Sequence, residues 1–404
     1  MRITNIKLRE LTGTLHHEGA FWEERLNRPL DVYPEHRAEG PEMWLPERID
    51  ENTYRIRSVF VEIENDEGVT GLGGPIHHEL AYIIDQQFRN LLIGEDPTAT
   101  ERLWDKMYRL AVHGRKGPTM MAISAIDCAL WDLRGNWLGV PVYRLLGGPV
   151  RESIPAYASA LGFSLAPDKV SARAKEFIDQ GYTATKWFPR WGPTDGKAGL
   201  AKNIELAETL RAAIGPDNDF MLDAWMSWDV PYTVKVSKVL KHTDPRWLEE
   251  PVPPDMIAAQ AEIKRRSRVP IATGEHEYTR WGLKLLMDAE GCEILQPDTY
   301  WAGGISELMK ISAIASTYGL QVIPHGHSVP ANLHLSAAWP IPQVPMVEYL
   351  VKWQTLLQHF WKEPLVPVGG ILTVPNGPGM GMTLDPDKIE NERVLSFDDA
   401  PVLT

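Results

Sequence analysis

The stretch "RWLEEPVPPDMIAAQAEIKRRSRVPIATGEH", residues 246–276, contains one unit of the pattern that predicts the fold. The apolar runs 246–251 and 270–276 have the length of buried strands, and the segment between them has room for one helix. Each run carries a carboxylate near its end, Glu249 and Glu275, and these two lie 26 residues apart. One strand, one helix and two loops take roughly 25 residues, so the spacing predicts neighbouring parallel strands joined by a helix.

The same pattern recurs through most of the chain. Eight short apolar runs alternate with amphipathic segments, which predicts an α/β fold whose parallel strands close into a barrel. An open doubly wound sheet would alternate in the same way, but no G-x-G-x-x-G or P-loop motif follows any of these runs. The predicted strands are 153–159, 182–188, 219–225, 246–251, 270–276, 293–298, 321–327 and 345–350.

Six consecutive predicted strands end in an ionisable residue. The carboxyl ends of parallel strands meet on one face of a barrel, the face that carries active sites, so these side chains should converge there. Solvent exposure of a strand end would explain one such residue, but it is a poor explanation for six at matched positions after apolar runs. The six are Asp223, Glu249, Glu275, Asp298, His325 and Glu348.

The first three of these residues predict a metal site. Carboxylates crowded at a barrel mouth repel each other unless a cation lies between them. Asp223, Glu249 and Glu275 offer only oxygen ligands, which suit Mg²⁺, whereas Zn²⁺ would favour histidine or cysteine. In the doublet at 249–250 the register selects Glu249, and Glu250 is expected to point elsewhere, toward a salt bridge.

A histidine pair in "QVIPHGHSVP", residues 321–330, predicts proton transfer. Asp298 ends the preceding strand and can accept a hydrogen bond from His325, which would make that ring a general base. His327 has left the strand and is expected to be a loop residue or to support the site from behind. Metal-dependent hydrolases also use a His-x-His pair, but on the first barrel strand rather than the seventh.

Composition narrows the class of protein. The chain of 404 residues is 44% apolar and has a formal charge of −13, which argues against nucleic acid or an anionic membrane as the main partner. Cys128 and Cys292 lack ligand spacing and are interpreted as buried thiols of a reducing compartment. The N-terminus lacks the apolar core of a signal peptide, and no apolar run reaches 18 residues. We therefore expect a cytoplasmic protein.

The first part of the chain reads differently. Residues 2–10 and 57–64 alternate as strands do, and 11–50 is too long and polar for a passive connector, so it is expected to be a functional loop. Residues 79–150 are predicted to be mainly helical. The clearest helix begins at Pro118 and ends at Gly135 or Gly139.

Several of these motifs resemble the enolase superfamily, and in particular its mandelate racemase subgroup. They are "EEP", "TGEH", "QPD", the histidine of the seventh strand and "SAIDCALWDLRGNWLGVPVYRLLGG" at 124–148. The resemblance implies an α+β capping domain over a modified (β/α)₇β TIM barrel. It implies a capping domain at 1–125 with a substrate-specificity loop at 11–50, a barrel at 126–365, and a C-terminal segment at 366–404 that returns to the cap.

The resemblance also implies roles for the strand-end residues. Asp223, Glu249 and Glu275 would hold Mg²⁺, His325 with Asp298 would be the base, and Glu348 would be an electrophilic acid.

The second strand indicates the type of reaction. Relatives with Lys-x-Lys there have a base on each face of the substrate, but this chain has Lys186 followed by Phe188. A racemase needs both bases, whereas an elimination can proceed with one that removes the α-proton and then protonates the departing β-hydroxyl. Lys186 is expected beside the substrate carboxylate.

The stretches "KWFPRWGPTDG", "MLDAWMSWDV" and "IPHGHSV" resemble L-rhamnonate dehydratases. The resemblance implies substrate contacts by His16, by Arg48 and by His276. His17 is an alternative to His16, and Arg55 or Arg57 is an alternative to Arg48. The tryptophans that could pack against a sugar chain are Trp187, Trp225 and Trp301.

The expected function is Mg²⁺-dependent syn dehydration of an aldonate, first of all L-rhamnonate, to its 2-keto-3-deoxy acid by a homo-oligomer between dimer and octamer. The alternatives are another acid sugar, such as L-lyxonate or L-mannonate, and a non-catalytic binding protein on the same scaffold.

Overall fold

The structure is a computed structural model that describes residues 1–40 and 46–397. Parts of the predicted specificity loop and of the predicted C-terminal segment, 41–45 and 398–404, lie outside the described residues. In the described residues the strands are β1 Ile3–His16, β2 Glu47–Asp50, β3 Thr53–Asn65, β4 Thr70–Ile76, β5 Ser153–Ser159, β6 Ala184–Trp187, β7 Asp219–Asp223, β8 Trp247–Glu249, β9 Ile271–Thr273, β10 Ile294–Leu295, β11 Gln321–Val322, β12 Val347–Leu350, β13 Ile371–Thr373 and β14 Asn391–Val394.

The helices follow the same order along the chain. They are α1 Pro34–Arg37, α2 His78–Ile83, α3 Arg89–Leu92, α4 Thr100–Leu110, α5 Pro118–Leu138, α6 Val142–Leu145, α7 Pro167–Asp179, α8 Gly196–Ile214, α9 Val230–Leu240, α10 Ile257–Arg266, α11 Thr279–Asp288, α12 Gly304–Thr317, α13 Val329–Ala338 and α14 Val351–Leu357. Within the described part of the chain, none of them is long and apolar enough to cross a bilayer.

One antiparallel sheet belongs to the cap and has the strand order β14-β1-β3-β2, with β4 also paired to β3. Its strand β1 continues six residues beyond the predicted end at residue 10, because it pairs with β3 as far as His16 opposite Thr53. Residues 47–50 also pair with β3. Both ends of the predicted loop 11–50 are therefore strands, which corrects the interpretation of that whole segment as a loop.

A second sheet is the parallel barrel, with the strand order β11-β10-β9-β8-β7-β6-β5-β12. Each of the eight predicted strands contains one of these, and β5 pairs with β12, so that the sheet curls back on itself. Asp223 lies opposite Glu249 in the β7–β8 register. The fold class predicted from the strand–helix alternation is confirmed.

Helix α5 connects the two sheets. It begins at Pro118 and ends before Gly139, which has a left-handed φ of 69°, and the predicted division at residue 125 falls inside it. The helix packs directly on β4, where a side chain at Gly71 or Gly73 would collide with helix backbone. At the other end of the chain, β14 pairs with β1 of the cap and β13 pairs with β5 of the barrel.

The two cysteines are buried and free, which confirms their interpretation as buried thiols.

Candidate active site

Three carboxylates converge at the carboxyl ends of neighbouring barrel strands. Asp223 ends β7, Glu249 ends β8, and Glu275 follows β9 by two residues. All three are buried, and each offers an oxygen within 4.8 Å of the others. Burial, together with the negative charge of the neighbouring Asp223, raises the pKa of Glu249 well above its ordinary value. The structure thus brings together the predicted metal ligands in a site that disfavours their shared negative charge.

The lysine of the second strand lies inside this cluster. The Lys186 ammonium is 2.9 Å from Asp223 Oδ2 and 2.8 Å from Glu348 Oε1, and it also contacts Glu249 Oε1. Burial disfavours the ammonium, but the three carboxylates outweigh this and raise the pKa of Lys186 well above its ordinary value. Lys186 is therefore a permanent cation rather than a base, and it is fully buried rather than extended into solvent.

Glu348, the predicted electrophilic acid, lies among positively charged groups that favour its ionised form, and its role in the reaction stays a prediction. Burial alone would raise its pKa, but the charges of Lys186 and His325 lower it. Glu348 Oε2 also accepts a hydrogen bond of 2.9 Å from the backbone N–H of Gly326. An ionised carboxylate can only accept hydrogen bonds. In this arrangement Lys186 supplies a positive charge within the cluster, and Glu348 contacts that ammonium.

His325 and Asp298 form the predicted pair. His325 Nδ1 lies 2.8 Å from Asp298 Oδ2, and the opposite nitrogen, Nε2, lies 3.6 Å from Glu275 Oε2. The other Asp298 oxygen, Oδ1, accepts hydrogen bonds from Tyr300 N and Ser328 Oγ. These bonds fix the carboxylate, which in turn orients the ring so that Nε2 faces the carboxylate cluster.

The charge state of His325 depends on the cluster. Burial works against the imidazolium, but the charge of Glu275 and the hydrogen bond to Asp298 raise the pKa of His325 to about 10. A cation held by Glu275 would neutralise the first of these favourable contributions, so it would make the ring a weaker base and allow it to be neutral.

Glu250 leaves the cluster as expected. Its φ of 39° turns the chain sharply after β8, and its carboxylate Oε2 lies 2.6 Å from His276 Nδ1. Burial works against the imidazolium, but Glu250 raises the pKa of His276 to about 9. The predicted salt bridge of Glu250 is confirmed, and it places a positive charge 3.3 Å from Glu275.

A cavity of about 220 Å³ opens above these residues between barrel and cap. Asp223, Glu275 and His325 lie in its wall, together with the predicted aromatic residues Trp225 and Trp301. Trp187 is instead buried in the barrel core. Most of the remaining wall is apolar. The residues of this apolar part are Trp22, Leu26, Met121, Leu161, Phe188, Leu350 and Trp353.

The predicted substrate contacts of the N-terminal region are placed elsewhere. His16 is exposed at the end of β1, and the exposed Arg48 guanidinium donates to the backbone oxygens of Asp50 and Glu51. Neither residue lines the cavity, and His276 lies behind its wall, beside Trp225 and Trp301. The prediction for His16 and Arg48 is thus unsupported by this structure, because pairing with β3 holds both in the cap sheet.

Residues 21–26 of the cap reach the cavity instead. The Trp22 ring stacks on the Trp353 ring with centroids 5.9 Å apart. Glu23 N donates to Gly162 O at 2.7 Å, and the Lys352 ammonium donates to Glu23 Oε2 at 3.2 Å. These contacts attach the cap to the barrel mouth. Sequence reasoning missed Trp22 because an aromatic residue in an irregular segment resembles an ordinary core residue.

The same segment is held by a buried ion pair. The Arg25 guanidinium is 2.6 Å from Asp31 Oδ2, and Arg28 Nη2 is 2.9 Å from Asp31 Oδ1. Arg25 also donates to the backbone oxygens of Leu26 and Glu39. Although Arg25 lines the cavity, its donors are therefore used within the cap.

Replacing Gly162 with Ala is expected to weaken the attachment of the cap. Gly162 has a φ of 84°, and an added Cβ would lie 1.3 Å from the Trp22 ring. We expect the free energy of unfolding to fall by about 1–3 kcal/mol because the ring must move, and tryptophan fluorescence to change. Gly94→Ala is the matched control, since Gly94 has the same φ of 84° with no atom near its Cβ position. Equal destabilisation by both variants, with unchanged fluorescence, would contradict the packing role.

The residues of the cluster fit Mg²⁺. Glu275 Oε2 is buried and has no hydrogen-bond partner in the described part of the chain, which is costly unless a ligand uses that oxygen. Only oxygens are offered, and they come from three rigid strand ends. Such a donor set suits a small hard cation that completes its shell with water or substrate oxygens.

Comparisons with known proteins agree with this geometry. Residues 169–388 match "Enolase C-terminal domain-like", and residues 39–147 match "Mandelate racemase / muconate lactonizing enzyme, N-terminal domain". An L-rhamnonate dehydratase of Saccharopolyspora erythraea is 35% identical to the chain, over 98% of this chain and 100% of the relative.

Solved structures show the same fold. The crystal structure of rhamnonate dehydratase from Gibberella zeae complexed with Mg has a TM-score of 0.80 and 31% identity, covering 96% of this chain and 95% of that one. The 3,6-anhydro-D-galactonate cycloisomerase from Zobellia galactanivorans has a TM-score of 0.77 and 28% identity, covering 96% and 99%. The chain therefore belongs to the enolase superfamily and, within it, to the mandelate racemase subgroup.

Proposed function

We propose that the protein is a Mg²⁺-dependent acid-sugar dehydratase that converts an aldonate, first of all L-rhamnonate, into its 2-keto-3-deoxy acid. The observation that carries the proposal is the His325–Asp298 pair, whose free Nε2 faces the cluster of Asp223, Glu249 and Glu275. The similarity to L-rhamnonate dehydratases over nearly the whole chain supports the same reaction.

Asp223, Glu249 and Glu275 would hold the Mg²⁺. When bound, the ion supplies positive charge to the substrate carboxylate and so makes the α-proton more acidic. Lys186 adds a second positive charge at the same end of the cavity. Its ammonium is held by Glu348 and is present before any substrate arrives, so this charge needs no rearrangement during the reaction.

His325 performs the proton transfers. Nε2 takes the α-proton, and the electrons of that C–H bond form a C=C bond as the β-hydroxyl leaves. The imidazolium gives the same proton to the departing hydroxyl, which leaves as water, and the resulting enol becomes the 2-keto acid. Asp298 keeps the remaining proton on Nδ1, so Nε2 is free to accept. One ring serves both steps, so the elimination is syn.

Other groups near the site are poor candidates for a second base. Lys186 is bound to three carboxylates, and Phe188, which occupies the place of a second lysine, lies in the cavity wall. This favours elimination over racemisation. The cytoplasmic location and the homo-oligomeric state remain predictions from the sequence.

A panel of acid sugars tests the proposal. The Mg²⁺-loaded protein should form a 2-keto acid from L-rhamnonate fastest, and assays with L-mannonate and L-lyxonate test the alternative substrates. A colorimetric assay for 2-keto acids with semicarbazide measures the rate. His325→Asn is the control for contaminating activity. If acid sugars bind but none yields a 2-keto acid, the protein is a binding protein on this scaffold rather than an enzyme.

A further inference from the structure

His327 is a histidine of the cavity wall to which the proton transfers give no role. It lies in the 3-10 turn Gly326–Ser328, just after the proposed base. Its ring centroid is 5.5 Å from that of Trp301 and 6.4 Å from that of Tyr300. Whereas His325 contacts the carboxylate cluster, the nearby ionisable groups that affect His327 are Asp298, His325 and His77 of the cap. His327 thus lies near the reaction centre without being part of it.

The ring of His327 has one unsatisfied nitrogen. Nδ1 is buried and has no hydrogen-bond partner among the residues that the structure describes. Burial lowers the pKa of His327 to about 4, so the ring is neutral at physiological pH. A neutral imidazole has one N–H donor and one acceptor nitrogen. Leaving such a group unpaired costs free energy, which a polar ligand can recover.

The rest of the cavity wall offers few other polar partners for a substrate, which makes the His327 imidazole more important for binding. An acid sugar carries a hydroxyl on most of its carbons, and each needs a partner when it leaves water. Away from the reaction centre, the charged and imidazole side chains in the wall are Glu24, Arg25, His77 and His327, and Arg25 is committed to Asp31. His77 is exposed, and Glu24, which is half-buried like His327, already accepts a hydrogen bond from Arg25 N. Outside the carboxylate cluster, the buried wall atoms without a partner among the described residues are the Trp22 indole nitrogen on the cap and His327 Nδ1. Of these two, His327 is the one that directly follows the proposed base on the barrel side.

We propose that His327 is a specificity-determining residue that hydrogen-bonds a substrate hydroxyl on a carbon beyond the two that react. His325 serves the α- and β-carbons, so the hydroxyl that reaches its neighbour belongs to a carbon further along the chain. The assignment rests on the proposed function, because it requires an acid sugar in the cavity. It makes His327 a binding group for the chain of the sugar rather than an acid or a base.

The test compares His327→Phe with the wild type on a set of substrates. The set contains an acid sugar that the wild type dehydrates and its 4-deoxy and 5-deoxy analogues. We expect His327→Phe to lower kcat/KM for the parent substrate by about 10-fold, mainly through KM, because a hydrogen bond to the substrate is lost. For the analogue that lacks the recognised hydroxyl, the two proteins should agree within about 3-fold.

A conservative variant and a stability measurement complete the design. His327→Asn keeps a donor and an acceptor near the position of Nδ1, so it should recover part of the loss for the parent substrate. Thermal unfolding of His327→Phe should start no lower than that of the wild type, because an unpaired buried nitrogen has been removed. If His327→Phe does not fold, His327→Asn is compared with the wild type on the same substrates, and this comparison tests the specificity role of His327.

Each remaining outcome overturns a stated claim. An equal loss on the parent and on both analogues would show that His327 acts by positioning His325, and an unchanged kcat/KM on every substrate would show that it binds nothing. Either result overturns the specificity role and leaves the dehydratase proposal standing. A wild type that dehydrates no acid sugar overturns the dehydratase proposal and, with it, the role of His327.

Discussion

Replacing Glu275 with Gln is expected to abolish dehydration and to weaken Mg²⁺ binding by more than about 100-fold, because one of three ligands loses its charge. Glu275 is the cleanest of the three to change. Its Oε2 has no hydrogen-bond partner among the described residues, and the nearest ring nitrogen, His325 Nε2, is 3.6 Å away. Both oxygens of Glu249 face donors, from Lys186 on one side and from Trp247 and Gln296 on the other. Calorimetric titration with Mg²⁺ measures the affinity.

Thermal unfolding of the metal-free protein distinguishes loss of metal binding from loss of the fold. Burial raises the pKa of Glu275 to about 7. A carboxyl whose pKa is raised on folding destabilises the folded state when it ionises, so at neutral pH and above the Gln variant should unfold at the same temperature as the wild type or higher. Glu277→Gln is the matched control, since Glu277 is also buried but pairs with Lys116 outside the cluster. Unchanged Mg²⁺ affinity in Glu275→Gln, or full activity after exhaustive chelation, would exclude the metal role.

The barrel could be predicted because its signal is local and repeated. An apolar run can be assigned as a strand from its own length and from its distance to the next run. All eight predicted runs contain an observed strand. Their ends were predictable for the same reason, so the chain order alone placed Asp298 next to His325. Apart from β5, the observed strands are shorter than the predicted runs, and β10 is only two residues long. Glu275, Asp298 and His325 follow the ends of their strands, whereas Asp223, Glu249 and Glu348 lie within theirs.

The cavity wall could not be predicted in the same way. Trp22 reaches the site because it stacks on Trp353, more than 300 residues away in the sequence, and no local pattern contains that pairing. The resemblance assigns His16 and Arg48 as substrate contacts. Both lie in segments that pair with β3 and so do not reach the cavity. The ionised state of Glu348 depends on the position of Lys186 in three dimensions. Long-range contacts, rather than propensity, therefore decide which residues face the substrate.

Replacing His325 with Asn is expected to lower dehydration by at least about 10⁴-fold, because in the proposed mechanism the same imidazole removes the α-proton and protonates the leaving hydroxyl. Exchange of the α-proton should be lost as well. Asn is smaller than His but keeps a polar side chain near Asp298, so the fold should persist. His327→Asn, a change of the same kind two residues away, is the matched control and should lose far less. Rates of 2-keto acid formation and of deuterium exchange measure the two steps separately.

Asp298→Asn should act through the tautomer of the ring. Oδ1 of Asp298 accepts hydrogen bonds from Tyr300 N and Ser328 Oγ, and Oδ2 lies 2.8 Å from His325 Nδ1. In the Asn variant the oxygen will stay with the two donors, so the amide NH₂ faces Nδ1. The ring then carries its proton on Nε2, where it cannot accept the α-proton. We expect a loss of about 10²- to 10⁴-fold in the same two assays.

Deuterium exchange in the wild type tests whether His325 works alone. In D₂O, a substrate analogue that lacks the β-hydroxyl cannot eliminate, so the base can only remove the α-proton and return a deuteron. If Nε2 of His325 is the one base, the deuteron returns to the face from which the proton left. NMR should then show deuterium at the α-carbon with the configuration retained. An epimerised product would require a base on the opposite face, where Lys186 is bound to carboxylates and Phe188 has no group that accepts a proton. That result would replace the one-base elimination with a two-base mechanism.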